Sequence, residues 1–161
     1  MGKIKIELKW AFVFAGVSLL WMLLERLAGL HSEHIEKHGI YTNFFAIPAI
    51  SIYVFALLNK RNTFYNGVMT YKQGFITGLI ITLFVAILSP LTQVITSTFI
   101  APDYFSNIII YSVSENKVTQ EEAENYFNLK SYIIQGLIGA PVMGIVTTAI
   151  VAIFIRGKGQ N

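Results

Sequence analysis

The sequence predicts an all-α, single-domain bundle of four transmembrane helices, with an extra interfacial or extramembrane helical segment between the third and fourth spans. Three observations lead there. Gln73 to Pro102 runs for thirty residues without a charged side chain, and a hydrocarbon core of roughly 30 Å takes only about 20 helical residues. Hydrophobic residues make up 54% of the chain and charged ones 13%, with a mean hydropathy of +0.57, whereas a soluble domain carries about 25% charged residues. A soluble chain of this size would still expose roughly 30% of its unfolded surface, and too few polar residues are present to cover it. Finally, the basic residues stand at the ends of apolar runs.

That last pattern also decides how the net charge of +3 is read. Basic side chains that bind nucleic acid gather on one element among aromatics, and no such cluster occurs, so nucleic acid is not expected as a partner. The absence of cysteine excludes disulfides, thiol catalysis and Cys-type zinc sites.

The first span is expected at about residues 10–30. Its uncharged part, Trp10 to Leu24, is fifteen residues, short for the bilayer, so Glu25 and Arg26 should lie at or just inside the far interface. There they snorkel or pair with each other; the alternative makes them a charge pair on a proton or substrate path. Met1 to Lys9 resembles the charged head of a signal peptide, but Glu25-Arg26 follows with no A-x-A-like site, so the segment is read as a retained helix. Ile6 stands where a myristoylation signal needs Ser or Thr.

Gly29 to Thr42 is a polar connection holding all three histidines. His31, His34 and His38 are spaced i, i+3, i+7, so one helix would put them on one face with Glu33 and Glu36 nearby. Such imidazoles can hold a metal or titrate together, which is the basis of a metal- or pH-sensor reading. The pattern lacks HExxH, and glycines bracket a short segment. A solvated hairpin is the simpler expectation, and no metal or cofactor is assigned.

The second span, about 39–59, carries Pro48, a point of kinking that membrane helices tolerate. Lys60-Arg61 closes it, and Asn66-Gly67 marks the turn. In the third span, about 74–101, Gly74, Gly78, Thr82 and Ala86 recur every fourth residue. The fourth, about 131–155, repeats the device with Gly136, Ala140, Gly144 and Thr148. Small-xxx-small stripes let backbones approach closely, so these two helices are predicted to pack face to face, with a hinge or pore lining as the rival reading.

Pro90 and Pro141 should each bend their helix. Around Pro90, Ser89, Thr92 and Gln93 are candidate ligand-binding residues, because interrupted helices with polar linings mark transporter sites. Against this, no acid lies between Gln73 and Pro102 to couple ions, and hydroxyls also satisfy carbonyls freed by proline.

Asp103 to Lys130 is the largest polar region. Tyr104, Phe105, Ile108, Ile109 and Tyr111 or Ser112 fall at helical spacing, as in an interfacial helix. Thr119 and Glu122 fit a capping box, and a helix from about Gln120 is expected to run through Tyr126 and Tyr132 into the fourth span. Glu121, Glu122 and Glu124 then sit where the helix dipole favours negative charge, with no need of a metal.

With a cytoplasmic N-terminus, the inside receives Lys3, Lys5, Lys9, Lys60, Arg61, Lys72, Arg156 and Lys158, eight of the twelve basic residues, and the outside eight of the nine acids. The positive-inside rule therefore expects both termini in the cytoplasm. Seven of eight tyrosines, all but Tyr53, lie in or beside polar segments, as in an interfacial aromatic belt.

The phrases YTNFFAIPAISIYVFAL, MTYKQGFITGLIITL, ILSPLTQVITSTFIAPDYF, TQEEAENYFNLKSY and GAPVMGIVTTAIVAIF resemble a bacterial family of four-helix membrane proteins described only as a domain of unknown function, DUF4199. The resemblance covers roughly Leu8 to Arg156 and implies a multi-pass protein of the inner membrane. It implies no activity, substrate or catalytic residue.

The sequence contains no Ser/His/Asp set, phosphate loop or pair of intramembrane acids. The leading expectation is a non-enzymatic structural or accessory membrane component, whose partners are the lipid bilayer and either a protein partner or further copies of itself. A small permease or channel with a polar path near Pro90, and a sensor using His31, His34 and His38, are the alternatives.

Overall fold

The computed structural model describes residues 4–157, and these contain helices and turns but no strand. In chain order the helices are α1 (Lys5–Leu27), α2 (Ile35–Tyr41), α3 (Ala46–Phe64), α4 (Tyr71–Ile95), α5 (Tyr104–Ser114), α6 (Gln120–Tyr126) and α7 (Leu129–Ile155). A 3-10 turn, Thr42–Phe45, joins α2 to α3, and a π-helical turn, Thr96–Ile100, prolongs α4. Four rods are long and apolar enough to cross a membrane: Lys5–Leu27, Ile35–Phe64, Tyr71–Ile100 and Leu129–Ile155.

The rods run antiparallel to their sequence neighbours, and cross-links at both ends show it. At the end nearer the chain termini, Lys60 Nζ lies 2.7 Å from Glu7 Oε1, Trp10 Nε1 donates to Asn59 Oδ1 at 3.1 Å, and Arg61 donates to the Ile155 carbonyl. At the distal end, Arg26 donates to the carbonyls of Phe99 and Ile100, and the hydroxyls of Tyr104 and Tyr132 are 3.1 Å apart. The first helix begins at Lys5, ahead of the expected Trp10, and Glu7 lies in its first turn. Its carboxylate is buried against Lys60 rather than solvated in a charged head.

The predicted meeting of the two small-residue stripes has a specific geometry. A Cβ built on Gly78 would collide with the side chain of Thr148, and one on Gly144 with that of Thr82; one on Gly74 would lie 3.3 Å from Ala152 Cβ. Gly136 faces Ser89, and Ala140 packs against the buried core. Each threonine thus enters the notch left by a glycine on the other helix, a close approach of the kind lipid-embedded helices rely on when no hydrophobic force drives them together. The rest of the core uses small residues too, with Ala11, Ala56 and Ala152 packed beside Leu57 and Ile81. Large side chains such as Phe12, Leu83, Ile87, Leu91 and Phe154 point outward, the arrangement expected when the surroundings are hydrocarbon.

Pro90 leaves α4 helical. Its missing amide frees the Ala86 carbonyl, and Ser89 Oγ donates to that oxygen at 2.9 Å. Pro48 falls at the third position of α3, directly after the 3-10 turn, where the α-helical ladder is already interrupted.

One expectation is corrected. The helix from Gln120 does not continue into the fourth span: α6 ends at Tyr126, and a new helix begins at Leu129. Asn128 is the cause. Its side-chain Oδ1 accepts from the Ser131 amide at 2.9 Å, capping α7, while its Nδ2 donates to the Glu124 and Asn125 carbonyls, closing α6. The capping box at Thr119 and Glu122 is formed.

Candidate functional site

The site is built at the distal end by a reversal of the chain after α1. Gly29 has φ +75°, open to glycine at little cost. Its amide bonds the Arg26 carbonyl while that of Leu30 bonds the Glu25 carbonyl, both at 2.9 Å, the pair of bonds that defines a Schellman helix end. The turn folds the following residues back over the helix. Leu30, His31 and Ile35 are buried, so the connection, otherwise exposed as the expected hairpin would be, is anchored in the bundle at these residues.

His31 therefore comes back to Glu25, with Nε2 3.2 Å from Oε2. The short helix α2 brings His38 to the same oxygen, its Nδ1 at 3.5 Å but outside hydrogen-bonding geometry. The other carboxylate oxygen, Oε1, accepts from Trp21 Nε1 at 2.6 Å, one turn earlier on α1. Only 3% of Glu25 and 5% of His31 is exposed. Charged groups inside a membrane protein are costly to bury and usually serve function, so this placement separates Glu25 from an ordinary helix-end charge. It neither snorkels nor pairs with Arg26, which goes instead to the carbonyls closing the third rod.

Tyr104, the first residue of α5, wedges against both imidazoles, with ring centroids 5.2 Å from His31 and 5.0 Å from His38. Burial pushes its phenol well above the usual tyrosine range, so it acts as a neutral hydrogen-bonding group toward Tyr132. Asn107, one turn further along α5, donates to the His31 carbonyl at 2.9 Å and fixes the turn. Beside the cluster is a cavity of about 160 Å³, bordered by His31, His38, Gln93, Ser97, Tyr104 and Tyr132.

The residues singled out from sequence are thus divided. His31 and His38 meet, but around a carboxylate on another helix and not along a shared helical face, because α2 begins only at Ile35. His34 turns away, half-exposed, with Nδ1 3.9 Å from Glu36. Of the polar residues near Pro90, Gln93 borders the cluster's cavity, whereas Ser89 and Thr92 border a second one of about 210 Å³ with Gln135 and Gly136. Ser89 and Thr92 hydroxyls are committed to carbonyls of their own helix. Reasoning from sequence missed the pairing of Glu25 with the histidines and the roles of Trp21 and Tyr104. The available signals were the i, i+4 spacing of Trp21 and Glu25 and the L-A-G-L helix end that turns His31 back.

Fold and site together define a four-rod membrane helix bundle with a buried carboxylate–imidazole cluster at one end. Residues 9–157 match the family described as "Protein of unknown function (DUF4199)", and the chain belongs to that family. We found no match to it among curated proteins or solved structures.

Proposed function

We propose that this protein is a non-enzymatic, multi-pass component of the cell membrane that receives a small ligand from the outer face at the distal cluster, with both termini in the cytoplasm. The observation that carries the reading is the burial of Glu25 and His31 beside a cavity of about 160 Å³. Ionisable groups inside a membrane protein are rare and mark functional sites, and this one is held in place by Trp21 and His31. Charge asymmetry supplies the orientation: Lys5, Lys9, Lys60, Arg61, Lys72 and Arg156 cluster at the end opposite the site, and Lys3 and Lys158, which share that sign, lie outside the described residues. A binding role is favoured over catalysis because the Ser97 hydroxyl beside the cavity is held by the Gln93 carbonyl at 3.0 Å and the Tyr104 and Tyr132 hydroxyls by one another.

The natural lack of cysteine makes the test direct. Single cysteines at Ser97, Lys117 and Asn66 are labelled in intact cells with a membrane-impermeant maleimide. Outside labelling is expected at Ser97 and Lys117, while Asn66, in the α3–α4 turn, reacts only after permeabilisation. Labelling of Asn66 from outside, or a Ser97 site unreachable from outside, overturns the proposal.

A small permease is the second reading, favoured by the cavity between Ser89, Thr92 and Gln135. It requires solute flux in proteoliposomes that Gln135→Leu reduces.

A further inference from the structure

We infer that Glu25, His31 and His38 bind a divalent first-row transition ion, with zinc the natural probe. The inference rests on the outward-facing site proposed above and names its ligand. The three residues come from different pieces of chain, α1, the Schellman turn and α2, and converge on one point. Around a tetrahedral zinc ion, nitrogen and oxygen donors at about 2.0–2.2 Å from the metal stand roughly 3.3–3.5 Å from one another. Here His31 Nε2 and His38 Nδ1 stand 3.2 and 3.5 Å from Glu25 Oε2. One ligand atom from each of the three residues falls within 4.8 Å of the other two, so the two imidazoles need to close by at most about 1.5 Å to complete the trio. Rotation about the side-chain torsions of His38, whose helix begins only three residues earlier, supplies that movement.

Charge and hydrogen bonding favour an ion over a bare polar contact. His38 Nδ1 is out of solvent and has no hydrogen-bond partner, a state that costs about 1–3 kcal/mol for a buried polar group. A cation between the three residues takes up that nitrogen and the carboxylate charge, and takes His31 Nε2 in place of its bond to Glu25 once the ring proton moves to Nδ1. The carboxylate is already aimed for the purpose: Trp21 holds Oε1 at 2.6 Å and leaves Oε2 turned to the histidines, the second-layer support that orients metal ligands. Asn107 and Tyr104 brace His31 and both rings from the far side.

Two imidazoles and one carboxylate suit zinc, copper, nickel or cobalt, and do not suit calcium or magnesium, which call for oxygen cages. Three protein donors leave a fourth position, and the cavity bordered by Gln93, Ser97 and Tyr132 lies beside it. A water molecule or small anion entering from the outer face would complete the coordination there. His34 and Glu36, exposed and turned aside, take no part.

The experiment uses the full chain purified in mild detergent and freed of any histidine tag. Cobalt(II) is added and the visible absorption of the four-coordinate ion recorded, then zinc is titrated against it to displace the band. Wild-type protein is expected to show the band at one cobalt per chain and to lose it to one equivalent of zinc. Glu25→Gln and His38→Ala are expected to weaken zinc binding by about 100-fold or more, while His34→Ala retains wild-type affinity. A folded wild-type protein with no band, or an affinity lost as much in His34→Ala as in His38→Ala, overturns the inference. Because that measurement is made on wild-type protein, it stands even if Glu25→Gln fails to fold. It also separates the two ideas: a Ser97→Cys site labelled from outside in a protein that gives no cobalt band keeps the outward-facing site and removes the metal.

Discussion

The contact between Gly78 and Thr148 allows packing in the membrane to be tested with one added methyl group. Gly78→Ala places a carbon 2.9 Å from Thr148 Cβ and closer still to the hydroxyl and methyl of that side chain, where unstrained carbons sit about 3.5–4.0 Å apart. Overpacking of this kind costs about 1–3 kcal/mol, against which alanine returns at most about 1 kcal/mol over glycine in a helix interior. Gly139→Ala is the matched control, since nothing lies within 4 Å of the new carbon and only the gain applies. The difference between the two variants isolates the clash, about 1–3 kcal/mol, or roughly 5- to 150-fold in the unfolding equilibrium. Reversible unfolding in mixed micelles by SDS titration, followed by circular dichroism, measures it. Thr148→Gly added to Gly78→Ala removes all three crowding atoms and is expected to recover most of the loss. If Gly78→Ala and Gly139→Ala unfold within about 0.5 kcal/mol of one another, the two helices do not meet at this seam and the register argument fails.

Further outcomes follow from the same structure. Glu7→Gln leaves Lys60 buried without its carboxylate, and the loss of one member of a buried pair is expected to cost about 3–5 kcal/mol; an SDS midpoint equal to wild type would contradict the pairing. Asn128→Ala removes the cap of α7 and is expected to lose about 1 kcal/mol, read by the same titration together with faster amide exchange at Ser131. At Glu122, the amide and hydroxyl of Thr119 hold the carboxyl below its usual value of 4.5. A depressed value in the folded state means that the capping box contributes stability above the unfolded value and loses it as pH falls through the folded one. Carboxyl NMR should therefore show Glu122 titrating below 4.5 in wild type and moving upward in Thr119→Ala; an unmoved titration would deny the capping contact.

Much of the architecture could be read before any coordinate. Length and apolarity of the four runs are local properties, and a bilayer imposes one solution on them, the hydrogen-bonded helix. Period-four small residues announced a close helix pair, since a spacing of four along a helix keeps residues on one face. The box at Thr119 is read from four adjacent residues. Where prediction failed, competing local signals were present: Asn128 was passed over as part of a continuing helix although its side chain closes one helix and opens the next.

The candidate site was legible only in part, for a different reason. His31, His34 and His38 stood out as a set, yet their spacing assumed one continuous helix, and the Schellman turn at Gly29 ended it. Glu25 looked like the rim of a short span because a charge near a helix end ordinarily reaches water. What the sequence determined by itself was the set of four rods long and apolar enough to cross a membrane, a quantity that depends on hydropathy along the chain. Which oxygen faces which imidazole, and which threonine fills which glycine notch, depends on distances between segments far apart in sequence, and only the packed bundle sets those.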